Sequence, residues 1–266
     1  MKFTKMHGLG NDYIYTTEMP ADPSALSIRL SKRHFAIGSD GLILVLPSEN
    51  ADFQMRIFNA DGSEAKMCGN GIRCVGKFVY DKGLTDKTSL AIDTLSGIKY
   101  LELFTGIDGK VEKVSVDMGN SSVSPDLTIT ANAFGFETLT GSPVSVGNPH
   151  YVIFTEDVSS VPLADIGPVI EHHKAFPGGV NAEFVQLTGK NHLRMRVWER
   201  GSGITMACGT GACASASAAV AKGYCDTDTP ITVELDGGNL EIVISKDYTV
   251  HMTGPAATAF EGEVDC

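Results

Sequence analysis

A segment of this chain matches a later segment of the same chain at a fixed spacing, and that limits the possible folds more than any other feature. Met55-Arg56-Ile57-Phe58 returns as Met195-Arg196-Val197-Trp198, Cys68-Gly69-Asn70-Gly71 as Cys208-Gly209-Thr210-Gly211, and Lys82-Gly83 as Lys222-Gly223, each 140 residues on. Across 55–83 and 195–223 seven residues are identical. Upstream, Gly10-Asn11 parallels Gly147-Asn148 at an offset of 137, and His34-Phe35 lies opposite Ala175-Phe176 at 141. Because the matches fall on one turn and keep one offset, the chain reads as two copies of one unit related by a pseudo-two-fold axis. Each copy supplies a strand, a Cys-Gly-x-Gly turn and a helix closed by glycine. At 266 residues, with about 150 per domain as a prior, two domains are expected, each long enough for its own core. The expected boundary lies near Asp117–Ser124, giving one domain over 1–118 with a C-terminal return at 254–266, and a second over 119–253.

Short β-branched and aromatic runs predict strands at Tyr13–Thr17, Leu42–Leu46, Phe53–Phe58, Ser89–Ile92, Val111–Met118, Tyr151–Phe154, Phe184–Leu187, Leu193–Trp198, Ile231–Leu235 and Leu240–Ile244. Turn signals such as Asp61-Gly62, Asp108-Gly109 and Asp236-Gly237-Gly238 separate them. Helices are expected over Asp22–Lys32, over Leu163–His172, and after each of Cys68 and Cys208. The class is therefore a strand-rich α/β (α+β) protein. The formal net charge of −11 argues against a nucleic-acid partner. No apolar run reaches the ~18 residues of a membrane span. The opening residues lack a signal-peptide apolar segment, so a cytoplasmic location with reduced thiols is expected. The six cysteines include no Cys-x-x-Cys pair, which leaves metal binding without support.

The chemistry concentrates on the repeated turn. A cysteine at a helix start lies over unpaired backbone N–H groups and the positive end of the helix dipole. That setting favours the thiolate, and the same N–H groups suit a carboxylate or phosphate. With two copies about a two-fold axis, Cys68 and Cys208 are expected to face each other. Opposed thiols around one carbon suit a 1,1-proton transfer, in which one thiolate removes an α-proton and the other thiol returns one to the opposite face. From the residues alone, a cysteine in a glycine-rich turn also serves as a small packing residue. A non-catalytic anion-binding protein and a thiol redox protein therefore stay open. Likewise Asn59 serves as a turn residue before Asp61-Gly62, Arg200 as a solvated charge and His150 as a loop histidine.

Over its whole length the sequence resembles the diaminopimelate epimerase family, whose members are pyridoxal-phosphate-independent. The resemblance is carried by His7-Gly8-Leu9-Gly10-Asn11-Asp12, Asn59-Ala60-Asp61-Gly62-Ser63, Cys68-Gly69-Asn70-Gly71-Ile72-Arg73-Cys74, Gly147-Asn148-Pro149-His150, Asn181, and Glu199-Arg200-Gly201 leading to Cys208-Gly209-Thr210-Gly211. It implies two pseudo-symmetric domains, each a mostly antiparallel sheet wrapped around a central helix. It also implies interconversion of LL- and meso-diaminopimelate without cofactor or metal, with a small amino acid as partner. Cys68 and Cys208 become the acid/base pair, the first called proton donor and the second acceptor. His150 and Glu199 become groups that adjust the thiol pKa. Asn11, Asn59, Gly69, Asn70, Asn148, Asn181, Glu199, Arg200, Gly209 and Thr210 become substrate contacts. A racemase of proline, hydroxyproline or histidine on the same fold is the alternative. Two positions depart from the family: Gly41 stands where many relatives carry a substrate-touching Gln, and Phe260 stands where some carry a Tyr that assists a homodimer.

Overall fold

The computed structural model describes residues 1–265; Cys266, a cysteine with no counterpart in the repeat, lies outside the described residues. The chain divides into unit 1, Met1–Asp117 with Thr253–Cys266, and unit 2, Met118–Met252. It opens with strands β1 (Lys2–Gly8) and β2 (Asn11–Thr16), helix α1 (Pro23–Leu30), and strands β3 (Gly41–Leu46), β4 (Phe53–Asn59) and β5 (Glu64–Ala65). Helix α2 (Gly69–Asp81) and strands β6 (Ser89–Asp93), β7 (Lys99–Thr105) and β8 (Val111–Asn120) follow. Next come β9 (Ser122–Val123), β10 (Leu127–Ala133), β11 (Phe136–Ser145), β12 (Pro149–Phe154), α3 (Leu163–Glu171), β13 (Asn181–Gly189), β14 (His192–Glu199), β15 (Gly203–Ile204), α4 (Gly209–Ala221), β16 (Ile231–Leu235) and β17 (Gly238–Ile244). The chain ends with β18 (Thr249–Pro255) and β19 (Ala257–Glu263). This is the mixed α+β class, dominated by sheet.

Each unit repeats one pairing scheme. In unit 1 the order runs β19-β1-β2-β3-β4-β6-β7-β8, antiparallel except for β2–β3 and β4–β6. In unit 2 it runs β9-β11-β12-β13-β14-β16-β17, antiparallel except for β12–β13 and β14–β16. Parallel neighbours need a crossover, and the two crossovers are helical in both units: α1 and α2 in one, α3 and α4 in the other.

Period-2 alternation assigns the faces of the central strands. Leu42, Leu44 and Leu46 of β3 pack with Phe3, Ile14, Leu26 and Leu30 on the α1 side. Ala182 and Phe184 of β13 pack with Tyr151, Ile166 and Ile170 on the α3 side. The opposite face of each strand meets the second helix: Ile43 lies against Gly71 of α2, and Glu183 against Gly211 of α4. In α4 the run Ala212 to Ala219 is fully buried, which its small side chains permit. Its hydroxyls are satisfied inside the helix, Ser215 donating to the Gly211 carbonyl and Ser217 to that of Cys213, both at 2.8 Å.

The helix ends are written in the sequence. Asp22 caps α1, accepting from Ala25 N–H at 3.0 Å, and Pro23 follows at the first helical position. Helices α2 and α4 end with glycine in the left-handed region, Gly83 at φ 68° and Gly223 at φ 72°. The N–H groups of Leu84 and Tyr224 then return to the carbonyls of Val79 and Ala219, each at 2.9 Å.

Several strands carry no clear alternation in the sequence. Strand β1 reads as polar because of Lys5, yet Lys5 is buried and ion-paired with Asp12 at 2.6 Å. The β10–β11 hairpin is rich in threonine, and β19 keeps most of its residues exposed. No helix among the described residues is long and apolar enough to cross a membrane.

Candidate active site

Each glycine-rich turn makes its cysteine the N-cap of a helix. Cys68 has φ −138° and ψ 117°, and its sulfur accepts from Gly71 N–H at 3.3 Å. Cys208 has φ −114° and ψ 108°, and its sulfur accepts from Gly211 N–H, also at 3.3 Å. The capping role normally filled by a Ser or Asp oxygen is thus filled twice by sulfur. Glycine three residues on leaves room for this: at either position a Cβ would lie within 3.4 Å of the cysteine side chain.

In unit 1 the Cys68 thiol donates to Asn11 Oδ1 at 3.4 Å, while Asn11 Nδ2 donates to Asp40 Oδ2 at 2.7 Å. Tyr13 is buried beside them; burial raises its phenol pKa well above the ordinary value, and Cys68 and Asp40 add to this. Asn70 is buried and its Oδ1 accepts from Arg73 Nη2 at 2.9 Å; Arg73 is itself wholly buried and also donates to the carbonyls of Gly69 and Pro255. Asn59 is turned into its own bend, donating to Ser63 Oγ at 3.0 Å. At Gly41 a Cβ would sit 2.1 Å from the Phe58 carbonyl oxygen, so this backbone has no space for a Gln side chain.

In unit 2 the predicted residues form one connected cluster. Thr210 Oγ1 lies 3.6 Å from the Cys208 sulfur and accepts from Asn148 Nδ2 at 3.3 Å. Asn148 Oδ1 lies 3.0 Å from His150 Nε2. Asn181, buried, donates to the Pro149 carbonyl and accepts from Arg200 N–H at 2.8 Å. The Arg200 guanidinium is exposed and donates to the Gly178 carbonyl. Glu199 accepts a hydrogen bond from the Thr205 hydroxyl. Burial pushes the Glu199 carboxyl pKa up, against hydrogen bonds from Thr205 and Cys208 that lower it. A cleft of about 300 Å³ lined by Asn148, His150, Phe176 and Val180 adjoins this cluster. A larger one of about 550 Å³, lined by Lys77, Asp81, Lys110 and Glu261, contains none of the predicted residues.

One sequence expectation is reversed. The helix start favours a thiolate, but Cys208 is pushed well above the ordinary thiol pKa, first by its burial and then by the negative charges of Glu199 and Glu183. Removing a sulfur anion from water outweighs the dipole here. Cys208 therefore rests as a thiol.

Glu183 itself escaped the sequence reading. It is wholly buried, its Oε1 is 2.6 Å from His150 Nδ1, and its Oε2 has no hydrogen-bond partner among the described residues. The signal was present in the duplication, since position 183 is 43 plus 140 and Ile43 is its apolar counterpart. Asp40 and Tyr13 escaped in the same way.

The sequence model of the diaminopimelate epimerase family matches residues 3–124 and 143–259. This chain belongs to the diaminopimelate epimerase family. It is 53% identical to a diaminopimelate epimerase of Methanococcus maripaludis, covering 100% of both chains. It is 51% identical to that of Acetivibrio thermocellus, covering 100% of this chain and 99% of the other. By its name the family is one of epimerases, which makes the enzyme an isomerase. Among solved structures, the fold is shared with a Bacillus anthracis phenazine biosynthesis protein of the PhzF family, at TM-score 0.80 and 17% identity over 100% and 99% of the two chains. It is also shared with a probable proline racemase of Agrobacterium radiobacter, at TM-score 0.78 and 18% identity over 99% and 92%. In this member of the family, Cys68 and Cys208 are the two sulfur caps of equivalent helices.

Proposed function

We propose that this protein interconverts LL- and meso-diaminopimelate by moving a proton on and off one α-carbon, with Cys68 and Cys208 as the two acid/base groups. The observation that carries the reading is the repeated sulfur cap. Two cysteines at matching places of a duplicated unit hold similar extended backbone conformations and accept the same bond from the third helical N–H. Identity near one half over whole chains supports the choice of substrate.

Starting from the LL isomer, Cys208 first gives up its proton to Glu199, the buried carboxyl that interacts with its thiol. The Cys208 thiolate then removes the α-proton, and the electron pair passes into the substrate carboxylate, giving an enediolate-like species. Cys68 delivers its proton to the opposite face, leaving the meso isomer and a Cys68 thiolate. Backbone N–H groups at the start of α2 and α4 stabilise the extra negative charge as it develops, the kind of term that dominates such reactions. Positioned acid and base supply a further ~10²–10⁴ in rate. Arg200 and the asparagines of both units supply the donors that a second zwitterionic end of the substrate needs.

The test is incubation of the reduced protein with LL-diaminopimelate in D2O, read by chiral chromatography and mass spectrometry. The expected result is the meso isomer with one deuterium at the inverted carbon, and no inversion with Cys68→Ala or Cys208→Ala. Inversion of proline or hydroxyproline with none of diaminopimelate would overturn the substrate assignment.

A further inference from the structure

The duplication supplies an internal control for unusual residues near Cys68. Strand register pairs Tyr13 with Gly41 in unit 1 and His150 with Asn181 in unit 2. The residue before each second partner is Asp40 in one unit and Val180 in the other. Val180 is wholly buried, so the fold accepts an aliphatic side chain where unit 1 carries a carboxylate. The matching asparagines also differ in what they do. Asn148 reaches Thr210 and His150, whereas Asn11 joins Asp40 to Cys68.

Donor inventory fixes the direction of that link. Asp40 Oδ2 accepts from Asn11 Nδ2 at 2.7 Å and from Asp12 N–H at 3.0 Å, while its Oδ1 pairs with Arg33 Nη2 at 2.8 Å. An ionised carboxylate can only accept, so the nitrogen of the Asn11 amide must face Asp40. Its oxygen is thereby aimed at the sulfur, where it can take only a thiol hydrogen. We propose that Asp40 is a positioning residue for proton return: by orienting the Asn11 amide it holds Cys68 in the protonated, donating form. Its catalytic meaning rests on the epimerase reading, but the orientation can be measured on the resting protein.

A direct effect of the Asp40 charge is the rival explanation. That carboxylate is 37% exposed and shares Arg33 with Asp12, so solvent and the guanidinium both weaken its reach. Tyr13 and Tyr15 from β2, whose burial keeps them neutral, and Cys74 from α2 also interact with Cys68.

The experiment titrates Cys68 by NMR in protein labelled with [3-13C]cysteine, the resonance being assigned with Cys68→Ala. Asp40→Val, the residue of the other unit, removes both acceptor oxygens, so the Asn11 amide is released; the Cys68 pKa is expected to fall by about half a unit to one unit. Asp40→Asn removes the charge but keeps one oxygen for Asn11 Nδ2 and Asp12 N–H by giving up the exposed Arg33, and is expected to leave Cys68 close to wild type. Asn11→Leu removes the link, and adding Asp40→Val to it is expected to produce no further shift. An unmoved Cys68 in Asp40→Val overturns the proposal. So does an equal shift in the presence and absence of Asn11, which would identify a direct charge effect. Failure of the protein to turn over diaminopimelate would leave these titrations as they are, so the two readings fail separately.

Discussion

Gly71 and Gly211 occupy the third helical position of α2 and α4, and replacing each by alanine is the same perturbation against two different neighbours. Either change gains about 1 kcal/mol of helix propensity. At position 71 the new Cβ lands 2.7 Å from Ile43 Cδ1 and 3.1 Å from Met55 Cε. Both are methyl ends that can turn aside, so an overpacking cost at the low end of the usual ~1–3 kcal/mol roughly cancels the gain. At position 211 the Cβ lands 2.8 Å from Glu183 Oε1 and 3.2 Å from the Cys208 sulfur. That oxygen is held by His150 at 2.6 Å and is sealed from solvent. Displacing it weakens a charge-assisted bond worth about 1.5–3 kcal/mol. Gly211→Ala should therefore be less stable than Gly71→Ala by roughly 2 kcal/mol, seen in urea unfolding as a lower midpoint at unchanged slope. If Gly211→Ala proves as stable as Gly71→Ala, the buried carboxylate is not held where the packing puts it, and the reasoning fails.

Alkaline pH should loosen the fold. Burial raises the Cys74 thiol pKa from 9.0 to about 11, so above about pH 9 the unfolded chain releases a proton that the folded one keeps. Stability is intact below that point and falls by up to about 3 kcal/mol as pH rises toward 11. Comparing urea midpoints of wild type and Cys74→Ala at pH 8 and 10.5 should show a shallower decline in the variant; Cys208 and Tyr15 contribute in the same direction. Asp22→Ala removes the α1 cap and should cost about 1 kcal/mol with epimerase activity retained, checked by thermal unfolding and chiral assay together.

What the sequence discloses follows from how far each signal travels along the chain. Caps and glycine stops are local, so the helices at 23–30, 69–81 and 209–221 are legible from sequence, whereas that at 163–171 has no side-chain cap to mark its start. The sulfur caps are local too, and both catalytic candidates were legible. Strands β1 and β19 were not, because their pairing joins opposite ends of the chain and Lys5 owes its burial to Asp12 and Gly38. The electrostatics of Cys208 were illegible for the same reason: Glu183 and Glu199 come from two different strands, and only packing brings them to the sulfur. Asparagine roles sit between these cases. The residue type at Asn11, Asn148 and Asn181 points to hydrogen bonding, but direction is decided by Asp40, His150 and the Arg200 backbone.

The path of the backbone has a consequence for biosynthesis. Strand β1 finds one neighbour in β2 almost at once, but its other neighbour, β19, lies at Ala257–Glu263, and the terminal ammonium of Met1 meets the Val264 carbonyl at 2.7 Å. All of Met118–Met252 emerges from the ribosome before that partner does. Unit 2 can thus reach its native pairing during translation, while unit 1 waits with an open sheet edge. Such an edge is a template for wrong partners, and ring closure over so long an insert grows only slowly with length, by about 0.6 kcal/mol per doubling. A released chain truncated just short of β19 should therefore leave the first half protease-sensitive and the second protected.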